Sequence, residues 1–144
     1  MPGETTAAFL FAQLDQATEI TKLRLEIWEK YNNFFLNYNN LGPIKIPFIP
    51  KSCEGNGHLF YLLMQSDSER TNFINFMNLS EINCIFHYIP LHSSPAGMKF
   101  GRTGSSMEIT NSISSRLVRL PFWIGLDTSI VTEHFAKWHC KQNS

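Results

Sequence analysis

Residues 58–65 read HLFYLLMQ, residues 66–80 read SDSERTNFINFMNLS, and residues 82–90 read INCIFHYIP. The first segment is a compact apolar run and predicts a buried strand, which we place at the centre of the sheet. The second begins with an N-cap serine and a carboxylate in the first turn, and it predicts a helix over about 68–80. The third is aromatic and β-branched and stops at a proline, which indicates a second strand. Strand, helix and strand in this order predict an α/β fold.

The N-terminal part of the chain predicts one long amphipathic helix over 6–37. Its apolar residues recur at steps of three and four, namely Leu14, Ala17, Ile20, Leu23, Ile27, Trp28, Tyr31, Phe34 and Phe35. Leu41-Gly42-Pro43 ends this pattern, and residues 44–50 alternate but contain prolines, which favours an extended segment at a sheet edge. The chain therefore divides into a lead-in helix at 1–40 and a small α/β domain at 41–144.

The remaining segments carry weaker signals. Gly55-Asn56-Gly57 predicts a hairpin-type turn, and the Ser, Pro and Gly residues of 91–106 predict a loop long enough to carry function. Residues 108–118 and 128–139 predict two more helices. The second of these is expected to turn four apolar residues inward, namely Ile130, Val131, Phe135 and Trp138.

Composition excludes several classes of protein. The 144 residues allow one domain, and 12 Lys and Arg balance 12 Asp and Glu, so no broad cationic face exists for nucleic acid. No apolar run approaches the roughly 20 residues that span a bilayer, so no membrane segment is expected. Hydrophobic residues at 43% and charged residues at 17% predict a packed interior, with apolar surface left for a partner to cover. Three cysteines, an odd number, indicate inert thiols in a reducing compartment, and we expect a cytoplasmic protein.

No stand-alone catalytic signature is present. The chain has no Gly-x-Ser-x-Gly elbow, no paired Cys-x-x-Cys and no phosphate-binding loop, and Gly55-x-Gly57 lacks the third glycine of a dinucleotide site. His134 and His139 are five residues apart on a predicted helix, which does not place two ligands on one face. We interpret both as surface histidines and predict no metal site.

One segment stands out, His87-Tyr88-Ile89-Pro90-Leu91-His92, in which a strand ends at a proline and delivers two histidines and a tyrosine to a loop. Strand ends that feed loops are common places for functional residues. An alternative stays open, in which His87 and Tyr88 pack in the sheet and His92 is an ordinary loop residue.

Five blocks of sequence occur in an order that resembles a known family. They are Ala7-Ala8, Ala12-Gln13-Leu14, residues 56–61, residues 86–97 with Phe100-Gly101, and residues 116–121. Together they resemble the C-terminal portion of the DegT/DnrJ/EryC1/StrS sugar-nucleotide aminotransferases, and the resemblance covers nearly the whole chain.

The resemblance implies a pyridoxal-phosphate enzyme of the aspartate aminotransferase fold type I, of which this chain is the small C-terminal domain with its lead-in helix. Such an enzyme moves an amino group from glutamate to a nucleotide-linked keto-sugar, and a homodimer is expected. The family's large N-terminal domain, which carries the Schiff-base lysine and most phosphate contacts, does not match any part of this sequence. Met1 therefore looks like a point of truncation, and we predict no catalytic residue and no bound cofactor for the chain alone.

The same resemblance indicates which residues face the substrate. We expect His92, then Tyr88 and His87, with Ser93 and Ser94, to face the sugar. Arg119 is a lesser candidate, because an arginine can hold a carboxylate or a phosphate bidentately, and a structural ion pair is the alternative. We interpret Lys99, within the predicted loop, as a solvated lysine.

Two non-enzymatic readings compete with this one. One is an inert truncated product, and the other is a separately made domain that folds and dimerises without catalysis. A small ligand-binding module would need a closed pocket of its own, and no residue set predicts one. If the chain is half of a cleft, then Phe9, Phe11, Phe34 and Phe35 should not all be buried.

Overall fold

The computed structural model describes residues 3–39 and 41–142, and in them helices outweigh strands. The elements in chain order are α1 Glu4–Asp15, α2 Ala17–Asn37, β1 Tyr61–Leu63, α3 Asp67–Leu79, β2 Ile85–Phe86, a 3-10 turn Leu91–Ser93, α4 Pro95–Phe100, α5 Glu108–Arg116, β3 Leu117–Arg119 and α6 Thr128–Gln142. The predicted truncation at Met1 and the predicted boundary at residue 40 lie outside the described residues. A small sheet flanked by helices confirms the predicted α/β fold class.

The predicted lead-in helix is two helices, because α1 and α2 are separated at Gln16. The Gln16 N–H donates to the Gln13 carbonyl at 3.2 Å in a tightened turn, and its carbonyl accepts from Ile20 N at 2.9 Å to start α2. The prediction of a single helix was wrong here. The spacing of apolar residues indicates which face of a helix is packed, and it does not reveal an interruption of one residue.

The sheet has the order β1-β3-β2, and β3 is antiparallel to both neighbours. We predicted β1 as the central strand and residues 108–118 as helix throughout, and both expectations were wrong. The central strand is β3, and the predicted third helix ends at Arg116. A strand of two or three residues is too short to show the alternation of apolar and polar residues by which strands are predicted. The predicted edge segment is confirmed, because Lys45 pairs with Leu63 beside β1.

Helices cover one face of the sheet and form the core with it. Leu62 and Val118 are cross-strand partners and are fully buried against residues of α2, α3 and α6. Phe135 lies at the centre of this layer, with its ring 4.8 Å from Phe35 and 5.9 Å from Phe73. The opposite face of the sheet stays half-exposed, with Arg119 upon it. The core thus lies on one side of the sheet, and the other side is open to contact.

The predicted start of α3 is confirmed in detail. Ser66 is the N-cap and accepts from the Glu69 N–H at 3.1 Å, while the Glu69 carboxylate accepts from the Gln65 N–H at 2.6 Å. These two bonds satisfy N–H groups at the helix start that would otherwise lack partners. The predicted boundaries of 68–80 differ by one residue from the observed Asp67–Leu79.

The last helix is also confirmed, with two corrections to its faces. Val131, Phe135 and Trp138 are buried as predicted, but Ile130 is half-exposed at 50%. His139, predicted at the surface, is only 8% exposed, because its ring stacks on Phe135 at 5.6 Å between centroids. His139 follows Phe135 by four residues, so the two side chains share one face of α6. The prediction of a surface histidine rests only on the five-residue step between His134 and His139.

Two segments predicted as irregular are different in the structure. Gly55-Asn56-Gly57 does not form the predicted hairpin turn. Gly57 has φ +60° instead, and it lies so close to the backbone of α2 that a Cβ would come within 2.8 Å of the Arg24 carbonyl carbon. The predicted loop 91–106 contains the 3-10 turn and α4. Ser94 caps α4 by accepting from the Gly97 N–H at 3.0 Å, and Pro95 occupies its first position, which is a helix-start signal that we had read only as turn chemistry.

The prediction about the four phenylalanines is confirmed. Phe9 and Phe11 are each 69% exposed on α1, which buries none of its residues, whereas Phe35 is 2% exposed. In the described ranges no helix combines the length and the apolarity needed to cross a bilayer. The chain therefore carries apolar surface on α1 that the rest of the described structure does not cover.

The three cysteines differ in environment. Cys84 is buried, and burial raises the pKa of its thiol to about 12, so it stays protonated and unreactive as predicted. Cys53 and Cys140 are exposed, so burial does not protect their thiols from reaction.

Candidate functional site

Arg119 lies at the end of the central strand on the half-open face of the sheet. Its register places it between Tyr61 of β1 and Ile85 of β2. The chain leaves β2 after Phe86, so His87 and Tyr88 follow at the edge next to the arginine. The sheet register thus brings together three of the six predicted site residues.

The contacts within this cluster are direct. Nη1 of Arg119 lies 3.1 Å from Nδ1 of His87 and 3.4 Å from the Tyr88 hydroxyl oxygen, to which it donates. The His87 and Tyr88 rings lie 4.1 Å apart between centroids. We call Arg119, His87 and Tyr88 the arginine cluster. It follows that His87 and Tyr88 are held by a side-chain contact at the strand end, and are not packed within the sheet.

The arginine cluster carries an unmatched positive charge. Within residues 3–39 and 41–142, the ion pairs join Lys22 to Glu19 and Arg70 to Asp67, so Arg119 meets no carboxylate there. Its Nε is buried and has no hydrogen-bond partner in the same part of the chain. Burial, followed by the charge of Arg119 and the nearby His58, holds the pKa of His87 below its ordinary value. A buried donor without an acceptor is costly, so the described part of the chain leaves the Arg119 side chain only partly satisfied.

His92 is in a separate arrangement. Its Nε2 lies 2.7 Å from Oδ1 of Asn111, and this contact joins the 3-10 turn to α5. The two serines are engaged with nearby backbone, because Ser93 donates to the Pro90 carbonyl at 3.0 Å and Ser94 donates to the Leu91 carbonyl at 2.7 Å. The structure therefore gives Ser93 and Ser94 local structural contacts and leaves a role toward substrate as a prediction.

Residues 88–93 contribute to two open grooves. One, of about 460 Å³, is lined by Tyr88 and Ser93 together with Arg70 and the α5 residues Asn111, Ser114 and Ser115. The other, of about 700 Å³, is lined by His92, Met98, Phe100, Arg102 and Met107 among others. Residues 88–93 therefore line grooves that are large enough to hold a small ligand.

Sequence reasoning missed the part that α5 contributes. Asn111 holds His92 and lines the smaller groove with Ser114 and Ser115. The usable signal was the spacing of three and four residues between these polar side chains, which places them on one face of a helix. We had noted this segment only as a helix.

The lysines do not fit the cofactor that the family implies. All seven, Lys22, Lys30, Lys45, Lys51, Lys99, Lys137 and Lys141, are exposed. A Schiff-base lysine needs an amine that burial or a cationic neighbour keeps partly deprotonated. Lys99 lies at the end of α4 with its ammonium 5.0 Å from the centre of the exposed Phe100 ring, so it is solvated as predicted. The described chain holds no lysine of the required kind.

Comparison with known proteins identifies the family. The family model for the DegT/DnrJ/EryC1/StrS aminotransferase family matches residues 3–136, which is most of the chain. The chain belongs to this family, as its sequence blocks suggested.

Individual relatives agree with this assignment and show how much of them the chain covers. The uncharacterized protein MJ1066 of Methanocaldococcus jannaschii is 32% identical over 115 residues, which are 77% of this chain and 29% of that protein. DesV from S. venezuelae, solved in complex with a ketimine intermediate, matches 92% of this chain and 35% of its own at 20% identity and TM-score 0.79. The sugar aminotransferase CalS13 from Micromonospora echinospora matches 88% and 33% at 14% identity and TM-score 0.70. The chain spans about a third of the length of these relatives.

Proposed function

We propose that this chain is the C-terminal third of a pyridoxal-phosphate-dependent sugar-nucleotide aminotransferase and supplies one wall of its substrate cleft. The complete enzyme transfers an amino group from glutamate to a nucleotide-linked 4-keto-6-deoxy sugar, in the biosynthesis of lipopolysaccharide, another surface antigen or a related deoxysugar. Membership of the family and the similarity to CalS13, itself a sugar aminotransferase, support the reaction class. The segment from His87 to Gly101 resembles that of dTDP-4-amino-4,6-dideoxygalactose transaminase, which supports the finer substrate.

The observation that carries this proposal is the arginine cluster. A nucleotide sugar is rich in oxygen atoms and carries a negatively charged diphosphate. The cluster offers a positive charge without a carboxylate partner in the described residues, and the Tyr88 hydroxyl on an exposed side chain. Charged donors of this kind form the strongest hydrogen bonds to phosphate and carboxylate oxygens.

The other predicted residues take secondary roles in this proposal. His92, fixed by Asn111, lies at the groove beside α4 and faces the sugar. Ser93 and Ser94 shape the turn that presents it. Pyridoxal phosphate belongs to the complete enzyme, and its lysine comes from outside this chain because all seven lysines here are exposed.

A second candidate function is a catalytically inert product or a stand-alone domain that folds and dimerises. It accounts for the observation that α1 buries none of its residues and exposes Phe9, Leu10, Phe11 and Leu14. Apolar surface of this kind is usually covered by a partner. The partner is the missing N-terminal domain in the first proposal and a second copy of this chain in the second.

Ligand binding by the chain itself separates the two proposals. We would titrate the ¹⁵N-labelled chain with dTDP-glucose and follow its spectrum. The enzyme proposal expects shifts at His87, Tyr88 and Arg119, and a loss of affinity of at least about tenfold in Arg119→Met, because a charged hydrogen bond is removed. Lys22→Met is the matched control, since it removes the same charge from an exposed position on α2.

Two outcomes would contradict the enzyme proposal. One is the absence of shifts at millimolar dTDP-glucose, and the other is equal weakening by Arg119→Met and Lys22→Met. A dimer by sedimentation equilibrium, lost in Phe9→Ser and indifferent to dTDP-glucose, would then favour the stand-alone domain. Sequencing the DNA upstream of the Met1 codon tests the missing lysine-bearing domain directly.

A further inference from the structure

The contact between Arg119 and His87 constrains where the imidazole carries its proton. A guanidinium stays protonated in proteins and has only donors, so Nη1 at 3.1 Å from Nδ1 must donate. Nδ1 must then provide a lone pair. An imidazole whose Nδ1 accepts a hydrogen bond is neutral and carries its single proton on Nε2.

We propose that Arg119 is a positioning residue that holds His87 as the neutral imidazole with its proton on Nε2, so that His87 acts toward a ligand as a hydrogen-bond donor and not as a proton acceptor. The part of this inference that concerns a ligand rests on the proposed function. The part that concerns the proton stands on the contact alone.

The groups around His87 all favour this state. Arg119 and His58 are the cationic or titratable neighbours that act on it, and the Tyr88 ring lies against its ring at a tilt of 32°. In the described part of the chain no carboxylate forms an ion pair with either Arg119 or His87. A single proton on Nδ1 would remove the acceptor of the bond to Arg119. A second proton on the ring would also place a positive charge beside the guanidinium with no acid to balance it.

The proton on Nε2 is free to reach a ligand. Among residues 3–39 and 41–142, no hydrogen bond is formed by Nε2 of His87, and the side chain is half-buried and not enclosed. Tyr88 accepts from Arg119, which directs its own hydroxyl proton away from the guanidinium. His87 Nε2 and the Tyr88 hydroxyl together present donors, which suits an oxygen atom of the ligand and excludes His87 as a general base from that side.

The experiment uses the full 144-residue chain, without ligand and labelled with ¹⁵N in histidine. Two-bond ¹H–¹⁵N correlations report which ring nitrogen holds the proton, and His87→Gln assigns the signals among the five histidines. We expect the neutral His87 to show only the Nε2–H form, and Arg119→Lys to keep it. Arg119→Glu should move the proton to Nδ1 and raise the pKa of His87, because a carboxylate accepts where the guanidinium donated. Arg119→Met should raise the same pKa.

The control is Arg116→Met, because Arg116 donates to Ser112 and to the Met64 carbonyl and does not contact His87. It should leave the His87 signals unchanged. A wild-type His87 with its proton on Nδ1, or a His87 pKa that is the same in wild type and Arg119→Met, would overturn the proposal. If Arg119→Glu does not fold, the wild-type and Arg119→Lys spectra still decide it.

This test is independent of the proposed function because no ligand is present. If the tautomer is as expected and dTDP-glucose does not bind, the proposed function fails and the positioning role stands. If dTDP-glucose binds at the arginine cluster and His87 carries its proton on Nδ1, the positioning role fails alone.

Discussion

Two regions of this molecule use their apolar residues in opposite ways. In the helix layer over the sheet, Phe35, Phe73 and Phe135 are buried and contact one another through their rings. From residue 85 to residue 117 no side chain is buried, and Leu91 and Phe100 are 79% and 80% exposed. The first region accounts for stability, and the second contains nearly all the candidate site. A rigid scaffold that carries an exposed functional segment is the usual division of labour in binding proteins and enzymes.

The largest effect that tests this comparison is a truncation in the helix layer. Phe135→Ala removes a ring that contacts Phe35, Phe73 and Trp138, and we expect a loss of about 3–5 kcal/mol in unfolding free energy. Phe9→Ala, at an exposed position on α1, should change it by less than about 0.5 kcal/mol. Urea denaturation followed by circular dichroism measures both. Similar losses of unfolding free energy in the two variants would contradict the distinction between the packed helix layer and the exposed residues.

A smaller loss is expected from a single hydroxyl. The Tyr31 hydroxyl donates to the buried Pro121 carbonyl at 2.9 Å. Tyr31→Phe leaves that carbonyl without a partner and should cost about 1–3 kcal/mol in the same assay. Tyr61→Phe is the control, because Tyr61 lies on the half-exposed face of the sheet. If Tyr31→Phe leaves the unfolding free energy unchanged, water replaces the lost hydrogen bond and this part of the core is open to solvent.

Alkaline pH should weaken the packed region. Burial raises the pKa of Cys84 from 9.0 to about 12, and burial together with Cys84 raises the pKa of Tyr31 above its ordinary value of 10.0. The folded chain therefore holds these protons more tightly than the unfolded chain. Stability is complete below about pH 9 and falls as the pH rises toward the folded values, by at most about 1.4 kcal/mol per pH unit for each group.

Unfolding free energies at pH 8, 9.5 and 10.5 measure this dependence. Cys84→Ala should make the decline shallower, since one of the two groups is removed. A decline of the same slope in Cys84→Ala would assign it to other groups.

In the exposed segment, a substitution should affect function and leave stability nearly unchanged. His92→Ala removes an exposed bond to Asn111, and we expect a stability change within about 0.5 kcal/mol. In a full-length relative that carries the same segment, the corresponding change should lower turnover more than thermal stability. Asn111→Ala serves as a comparison, because it frees His92 without removing it. Unchanged turnover and substrate affinity would exclude His92 from the site.

The smallest expected effect is the absence of a selective reaction with the cofactor. When the chain is mixed with stoichiometric pyridoxal phosphate and an amino donor and is then reduced with borohydride, label should spread over the seven exposed lysines. No amino transfer is expected. Peptide mapping gives the distribution. Nearly complete labelling of one lysine, above all Lys99, together with amino transfer would make this chain a compact enzyme.

The candidate site was predictable in its residues and not in its grouping. His87, Tyr88 and His92 could be named from the strand predicted to run to Pro90, although the observed strand ends at Phe86. Their separation into the arginine cluster and the contact of His92 with Asn111 could not, because it depends on the sheet register and on the placement of α5. The contribution of Asn111 has a local signal in the polar face of α5, where Asn111, Ser114 and Ser115 follow at steps of three and four residues.

The sequence by itself determined α3, α6 and the edge segment before β1, and it predicted that the four phenylalanines of the lead-in segment are not all buried. Long helices repeat their apolar spacing over several turns, and a cap such as Ser66 marks where one begins. Only the tertiary structure decided that residues 117–119 form the central strand. A strand of three residues shows less than two periods of alternation, so its identity comes from pairing with Leu62 and Phe86, which are distant in sequence. That same pairing places Arg119 beside His87, and with it the charge that the proposed site depends on.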